Sequence, residues 1–209
     1  MAAIGYETMK TPGWVPRLLL GAAMGCVAMV MYHATQYLSA GRAVVRTDCW
    51  SWHWVPFHAA WCWPYQSLFV LMGLPWFLLP TMAEVKRFAV ALLATAAVGW
   101  TVFLSYPTAC VRPTEVGQPW YYATLHELDW PNNCLPCLHS ALLVVTVWAL
   151  LRRGVACKGA VGRAILLGWS AAILISIVAL RQHTGTDILA GLALGGLGAW
   201  IFGGRAPAR

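Results

Sequence analysis

Read along the chain, apolar residues fall into six blocks separated by short polar stretches: Trp14–Leu38, Tyr65–Pro80, Phe88–Tyr106, Leu135–Leu151, Ala164–Leu180 and Ile188–Gly204. This is how a bundle of membrane-spanning helices reads. Several blocks fall short of the roughly 20 residues of a full crossing, so their polar ends are expected to extend the helices. Pro75 is expected to bend the second span, with neighbouring helices satisfying the carbonyl it frees. The pattern predicts an all-α polytopic membrane protein, a bundle of six transmembrane helices forming one integral domain over residues 1–209. No internal repeat or low-complexity tract interrupts it. In the last block Gly191 and Gly195 stand at small-xxx-small spacing, which suits close packing inside one bundle better than a dedicated dimer seam.

Composition agrees with the pattern. The chain is 60% hydrophobic and 10% charged, against about 25% charged for an ordinary soluble domain. Met1–Gly13 carries Glu7 and Lys10, and the apolar run after it is longer than a signal-peptide core, so the first block reads as a retained span. A net charge of +7 raises the question of nucleic acid, but no basic helix or aromatic-interleaved basic groove accompanies it, and none is expected as a partner. Topology accounts for most of the excess. The 152–163 loop holds Arg152, Arg153, Lys158 and Arg163, the 81–87 loop Lys86 and Arg87, and the tail Arg205 and Arg209. The 107–135 loop instead holds Glu115, Glu127 and Asp129 against Arg112. Positive loops stay in the cytoplasm, so both termini are expected inside, with 39–64, 107–135 and 181–187 outside. Arg42 and Arg46, in an outward loop, are the exception. The expected location is a bacterial inner membrane, or an endomembrane in a eukaryote.

Ionisable residues are scarce, so their placement carries information. Apart from the basic loops they gather at the outer ends of the third, fourth and sixth spans: Arg112, His139, Arg181, His183 and Asp187. Burying such groups at membrane depth is costly, which makes them a functional hypothesis. His183 and Asp187 are four residues apart and share a face if a helix begins near 183. A carboxylate on one imidazole nitrogen fixes the tautomer and leaves the other free to attack. His139 follows Pro136, and proline marks a helix start. The first-turn amides of 137–139 would then favour an anion, with His139 placed to protonate a leaving oxygen and Arg112 to grip phosphate.

Tyr106-Pro107-Thr108-Ala109-Cys110-Val111-Arg112-Pro113, Pro136-Cys137-Leu138-His139 and His183-Thr184-Gly185-Thr186-Asp187 together resemble the three motifs of the type-2 phosphatidic acid phosphatase (PAP2) superfamily. The wording, with Asp48, Val55-Pro56-Phe57 and Pro64-Tyr65 in the first outer loop, is similar to the branch that includes inositol phosphorylceramide synthases. The resemblance runs from about residue 48 to 191. It implies a metal-free six-helix bundle of PAP2 type with no cofactor. In it His183 forms a phosphohistidine, Asp187 orients it, His139 protonates the leaving group and Arg112 binds the phosphate, with Cys137 at the position of a phosphate-binding serine and Arg181 as the candidate to replace a missing phosphate-binding arginine. Three positions depart from the family pattern: Ser105 replaces the lysine that opens the first motif, Cys137 the usual serine, and Ile177 an arginine six residues before the histidine.

The expected function is therefore a lipid phosphatase or phosphotransferase acting on a lipid phosphoester or diphosphate at the extracytoplasmic face. Its expected partners are the bilayer, a lipid phosphate substrate, and copies of itself or a membrane complex. The rival reading is a catalytically degenerate structural or assembly subunit of such a complex, motivated by Ser105, Cys137 and Ile177. A channel or carrier is a third, unsupported by any charge deep in a span. Seven cysteines are present. Cys49, Cys62, Cys110, Cys134 and Cys137 fall on the predicted outer side, where an oxidising compartment permits disulfides whose pairing the sequence leaves open. Cys134-x-x-Cys137-x-His139 lacks the second ligand pair of a structural zinc site. Trp50, Trp52, Trp54, Trp61 and Trp63 read as an interfacial belt, and the functional extension of that reading places their loop over the site. His53 and His58 read as interfacial; His33 and His126 have no usable partner spacing.

Overall fold

The computed structural model describes residues 13–47, 50–110, 112, 119–152 and 159–203. The expectations placed on Glu7, Lys10, Asp48, Cys49, Val111, Pro113, Glu115, Arg153, Lys158, Gly204, Arg205 and Arg209 lie outside the described residues. Helix accounts for 77% of the described structure, in seven α-helices. They are α1 (Trp14–Ser39), α2 (Cys62–Leu78), α3 (Met82–Ser105), α4 (Trp120–Leu128), α5 (Leu138–Arg152), α6 (Ala160–Ala179) and α7 (Gly185–Phe202). A helix occupies each of the six apolar blocks. Three of them, α1, α3 and α6, are long and apolar enough to cross a membrane.

Local chemistry moves several helix starts away from the apolar edges. Thr81 accepts from the Glu84 amide at 3.3 Å, and Glu84 accepts in return from the Thr81 amide at 3.4 Å. This capping box starts α3 at Met82, so Glu84, Lys86 and Arg87 belong to its first turns and not to the expected 81–87 loop. Arg163 likewise lies in the first turn of α6. The expected 107–135 loop contains α4, a nine-residue helix. Arg42, the exception to the charge rule, donates to the Leu104 carbonyl at 2.5 Å. It thus caps the carbonyl-rich end of α3, where a cation is favoured locally.

Helix α5 sits at the centre, packed most closely on α7 and also on α3 and α2, while α6 leans on α2. Gly191 and Gly195 make the α5–α7 approach possible. A Cβ at Gly191 would collide with Ser140 and the Cys137 carbonyl, and one at Gly195 with the Ala141 carbonyl. The expected packing inside the bundle is what the glycines serve. The interior holds Leu143, Leu150, Ile173 and Ile177, together with buried Thr146, Ser170 and Ser176, whose hydroxyls bond back to their own helices at 2.6–2.8 Å. Leu19, Val30, Ile165, Leu189 and Trp200 point outward and are exposed. Apolar surface of this extent suits hydrocarbon surroundings. At the opposite end of α5 from the histidines, Arg17 of α1 donates to the carbonyls of Leu79 (2.6 Å) and Pro80 (3.1 Å), closing the end of α2.

The loops at the other end are knitted together by short pairings. Strand β1 (Val45–Arg46) runs parallel to β2 (Thr108–Ala109), with Val45 opposite Thr108 and Arg46 opposite Ala109. Ala109 in turn bridges Asn132. The segments after α1 and α3 and the segment before α5 therefore form one rigid rim, and the site is built on it.

Candidate active site

Two tight structures bring the histidines together. The first ends α6. Arg181 adopts φ 58°, the Arg181 amide donates to the Val178 carbonyl at 3.0 Å and the Gln182 amide to Ile177 at 3.1 Å. This is the Schellman pattern with arginine in the left-handed position that usually takes glycine, and it returns Gln182 and His183 into the bundle. The second starts α7. Thr184 and Asp187 form a capping box in which Asp187 Oδ2 accepts from the Thr184 amide (2.8 Å) and hydroxyl (2.9 Å). His183 therefore precedes α7 and does not lie on its face, as a helix start near 183 would have placed it.

The imidazole nitrogens meet directly: His139 Nδ1 lies 3.2 Å from His183 Nε2. The other His183 nitrogen, Nδ1, is 3.0 Å from the Cys134 carbonyl, which can only accept, so Nδ1 carries a proton. Burial, and after it the neighbouring His139, pushes His183 down to about 3. At neutral pH the ring is uncharged and its Nε2 bears a lone pair. The orienting acceptor is thus the Cys134 carbonyl. Asp187, expected in that role, has its nearest oxygen 4.0 Å from Nδ1 and is committed to the α7 cap.

A chain of hydrogen bonds runs from His139 in the other direction. His139 Nε2 lies 2.7 Å from the Tyr65 hydroxyl, which donates to Asp129 Oδ2 at 3.0 Å. Tyr32 donates to Asp129 Oδ1. Burial alone would push the Asp129 carboxyl up, but Arg112 above all, with His139 and the Tyr32 hydrogen bond, holds it below the usual carboxylate range. Counting protons decides the arrangement. Tyr65 has one, and the carboxylate takes it; His183 Nε2 has none. His183 Nε2 therefore accepts from the N–H on His139 Nδ1, while the other His139 nitrogen meets the Tyr65 hydroxyl. The rim thus links a buried carboxylate, a tyrosine hydroxyl and two imidazoles in one hydrogen-bonded chain.

The remaining expected residues are placed as follows. Arg112 is buried and donates to the carbonyls of Asp129 and, at 3.0 Å, Trp130, with its guanidinium 3.8 Å from Asp129 Oδ1. These bonds build the loop that presents Asp129, and Arg112 Nε has no acceptor among the described residues. Arg181 stacks over Trp52, its guanidinium carbon 5.3 Å from the ring. The Cys137 amide, expected to be open to an anion, donates to the Asp187 carbonyl at 2.9 Å, and the buried sulfur sits near the amides of His139 and Ser140. Cys137, His139 and His183 offer ligand atoms within 4.8 Å of one another, whereas Cys134 of the Cys-x-x-Cys pattern falls into a different cluster. Ser105 is exposed and bonds back to Thr101 at 2.8 Å, and Ile177 is wholly buried in the core, so neither position supplies a cation.

Tyr65, Tyr32 and Asp129 did not stand out as site residues in the sequence. Tyr65 was visible only in the Pro64-Tyr65 wording, Asp129 as one acid among several, and Tyr32 as one hydroxyl in an apolar run. The tryptophan-rich loop does cover the site. Its short 3-10 helix, Trp50–His53, lies on the 183–187 segment, where the Gly185 amide donates to Ser51 at 2.8 Å and the Trp52 indole to the His183 carbonyl at 3.1 Å. His58 accepts from the Ala60 amide at 3.2 Å, a local cap away from the histidine pair. A cleft of about 610 Å³ between α5, α6 and α7 opens at the far end, beside Arg152 and Arg163, and holds none of these groups. Comparison of the chain with protein families, curated proteins and solved structures finds no match.

Proposed function

We propose that the chain is a membrane lipid phosphatase or phosphotransferase, a six-span bundle of PAP2 type working through a phosphohistidine on His183. The observation that carries the reading is the contact of His139 with His183, 44 residues apart in sequence, one ring offering an N–H and the other a lone pair. A nucleophile needs a free lone pair and a general acid needs a proton; this pair has one of each.

In the resting site the His139 N–H covers the His183 lone pair. A phosphoryl group entering between the rings takes that N–H onto its oxygen and exposes Nε2 to phosphorus, within the roughly 3–3.5 Å of a near-attack geometry. The Nε2–P bond forms as the P–O bond to the lipid breaks, and the leaving oxygen takes the His139 proton. His139, now neutral, accepts a proton from water or a second alcohol, whose oxygen attacks phosphorus and releases His183. Water makes the protein a phosphatase, an alcohol acceptor a phosphotransferase. With the anionic phosphate bound, Tyr65 and Asp129 support the imidazolium form of His139 that the leaving oxygen requires. Both termini lie in the cytoplasm, and the rim that bears the site faces away from it.

The test is incubation of the purified protein with a panel of labelled lipid phosphates, followed by trapping of acid-labile label. His183→Ala should abolish labelling and His139→Ala should slow its formation; no turnover on any member of the panel would overturn the proposal. A second reading rests on Arg112, whose terminal nitrogens are tied to loop carbonyls: a non-catalytic assembly subunit. That reading expects no turnover, together with co-purifying membrane proteins whose retention is unaffected by His183→Ala.

A further inference from the structure

Behind the histidine pair lies a second cluster that the proposed reaction does not use. Cys110, Cys134 and Asp187 are buried, with their sulfur and carboxylate atoms within 4.8 Å of one another. The backbone brings the two cysteines together. The Cys110 amide and the Cys134 thiol both reach the Pro131 carbonyl, at 2.9 and 3.4 Å. In the two residues before Cys110, Ala109 bridges Asn132, and the Thr108 hydroxyl accepts from the Leu135 amide at 2.8 Å. These pairings beside Cys110 and around Cys134 hold the two segments together, with the sulfurs close to one another. Thr47 packs against the Cys110 sulfur at 3.3 Å, and that thiol points at Asp187 Oδ2, 3.6 Å away.

We propose that Cys110 and Cys134 form a disulfide in the mature protein. This rests on the reading that the rim faces outside the cytosol, where disulfides persist, and not on catalysis. The oxidant is a protein thiol–disulfide oxidoreductase in its disulfide form. During folding, the Cys110 thiolate attacks that disulfide and releases one oxidoreductase thiolate. The Cys134 thiolate then attacks the Cys110 sulfur, closing the bond and releasing the reduced oxidoreductase; two protons leave the cysteines and two electrons pass to the oxidant. Both cysteines are nearly or fully excluded from solvent, so a bond once formed is shielded from reductants. Its consequence lies in what the segments carry. Cys134 supplies the carbonyl that holds His183, and the loop closed between the cysteines carries Arg112 and Asp129. The bond would hold the nucleophile and the carboxylate of the relay in one covalent frame.

The test uses the full chain expressed with a reporter after Arg209, acid-quenched and treated with maleimide without reduction. Chymotrypsin cuts between the cysteines at Trp120, Tyr121 and Tyr122, so a disulfide appears as a linked peptide pair that reduction separates. The expected result is that linked pair, with Cys134→Ser releasing Cys110 to maleimide and lowering the melting temperature by several degrees. Maleimide on both cysteines without reduction overturns the proposal, as does a link from either one to Cys49. One zinc per chain with both thiols free overturns it in favour of a metal site on Cys110, Cys134 and Asp187. The reporter separates the causes. Free thiols with a cytoplasmic reporter remove the disulfide alone, whereas free thiols with an external reporter remove the topology as well.

Discussion

Tyr65→Phe removes one oxygen and tests whether His139 acts as an acid. The hydroxyl is buried and makes two bonds, 2.7 Å to His139 Nε2 and 3.0 Å to Asp129 Oδ2. Both partners are charged when His139 holds its second proton, and hydrogen bonds to charged groups contribute about 1.5–3 kcal/mol each. Losing the one to His139 destabilises its protonated form by that amount, so the proton donor is populated roughly 10- to 150-fold less and the rate falls in step if proton donation limits it. The ring stays in place, so substrate binding should change little. The discriminating assay compares leaving groups. A lipid alkyl phosphate needs a proton on its departing oxygen, whereas a nitrophenyl phosphate departs without one. Tyr65→Phe should therefore lower kcat on the alkyl phosphate by about 10- to 150-fold, and on the nitrophenyl ester by less than about threefold, with KM steady on both. Equal losses on the two substrates would make Tyr65 a packing residue, and no loss on either would remove the relay from the mechanism.

Four further outcomes follow from the structure. Because His183 stays neutral down to about 3, phosphoenzyme trapping should be as efficient at pH 5 as at pH 7; a midpoint near the ordinary imidazole value of about 6.5 would contradict the burial argument. By the same linkage the unfolded chain binds a proton below about 6.5 that the folded site refuses, so thermal stability should decline as the pH falls from there towards 3. Arg17→Met strips the carbonyls of Leu79 and Pro80 of their buried donor; at about 1.5–3 kcal/mol per charge-assisted bond, the detergent-solubilised protein should melt several degrees lower, whereas Arg17→Lys should recover part of the loss. Gly191→Ala drives a methyl group into Ser140 and the Cys137 carbonyl, costing about 1–3 kcal/mol of overpacking. It should depress labelling of His183 by moving α7 from α5, and unchanged melting and labelling would show that the approach is looser than drawn.

Much of this was legible in one dimension. Apolar helices announce themselves because each is apolar over most of its length, so the six blocks of the chain became α1, α2, α3, α5, α6 and α7, of which α1, α3 and α6 are long and apolar enough to cross a membrane. Capping is also local, and the Thr-x-x-Glu and Thr-x-x-Asp patterns that start α3 and α7 stand in the sequence at residues 81–84 and 184–187. His139 and His183 could be singled out because ionisable groups are rare at helix ends in such a chain. α4 was hidden, since nine residues with three aromatic and two ionisable side chains make no apolar block.

What the tertiary structure alone decided is who touches whom. Tyr65 meets His139 across 74 residues and Tyr32 meets Asp129 across 97, and no spacing rule reaches that far. The acceptor for His183 is a backbone carbonyl, which every residue possesses and no sequence can single out. Asp187 stood at the right spacing to orient His183, yet the nearer amide and hydroxyl of Thr184 claimed its oxygen. Periodicity and composition report the environment a segment needs, because burial is averaged over many side chains. Hydrogen bonds are short and directional, so their partners are settled only when the helices and the rim have packed.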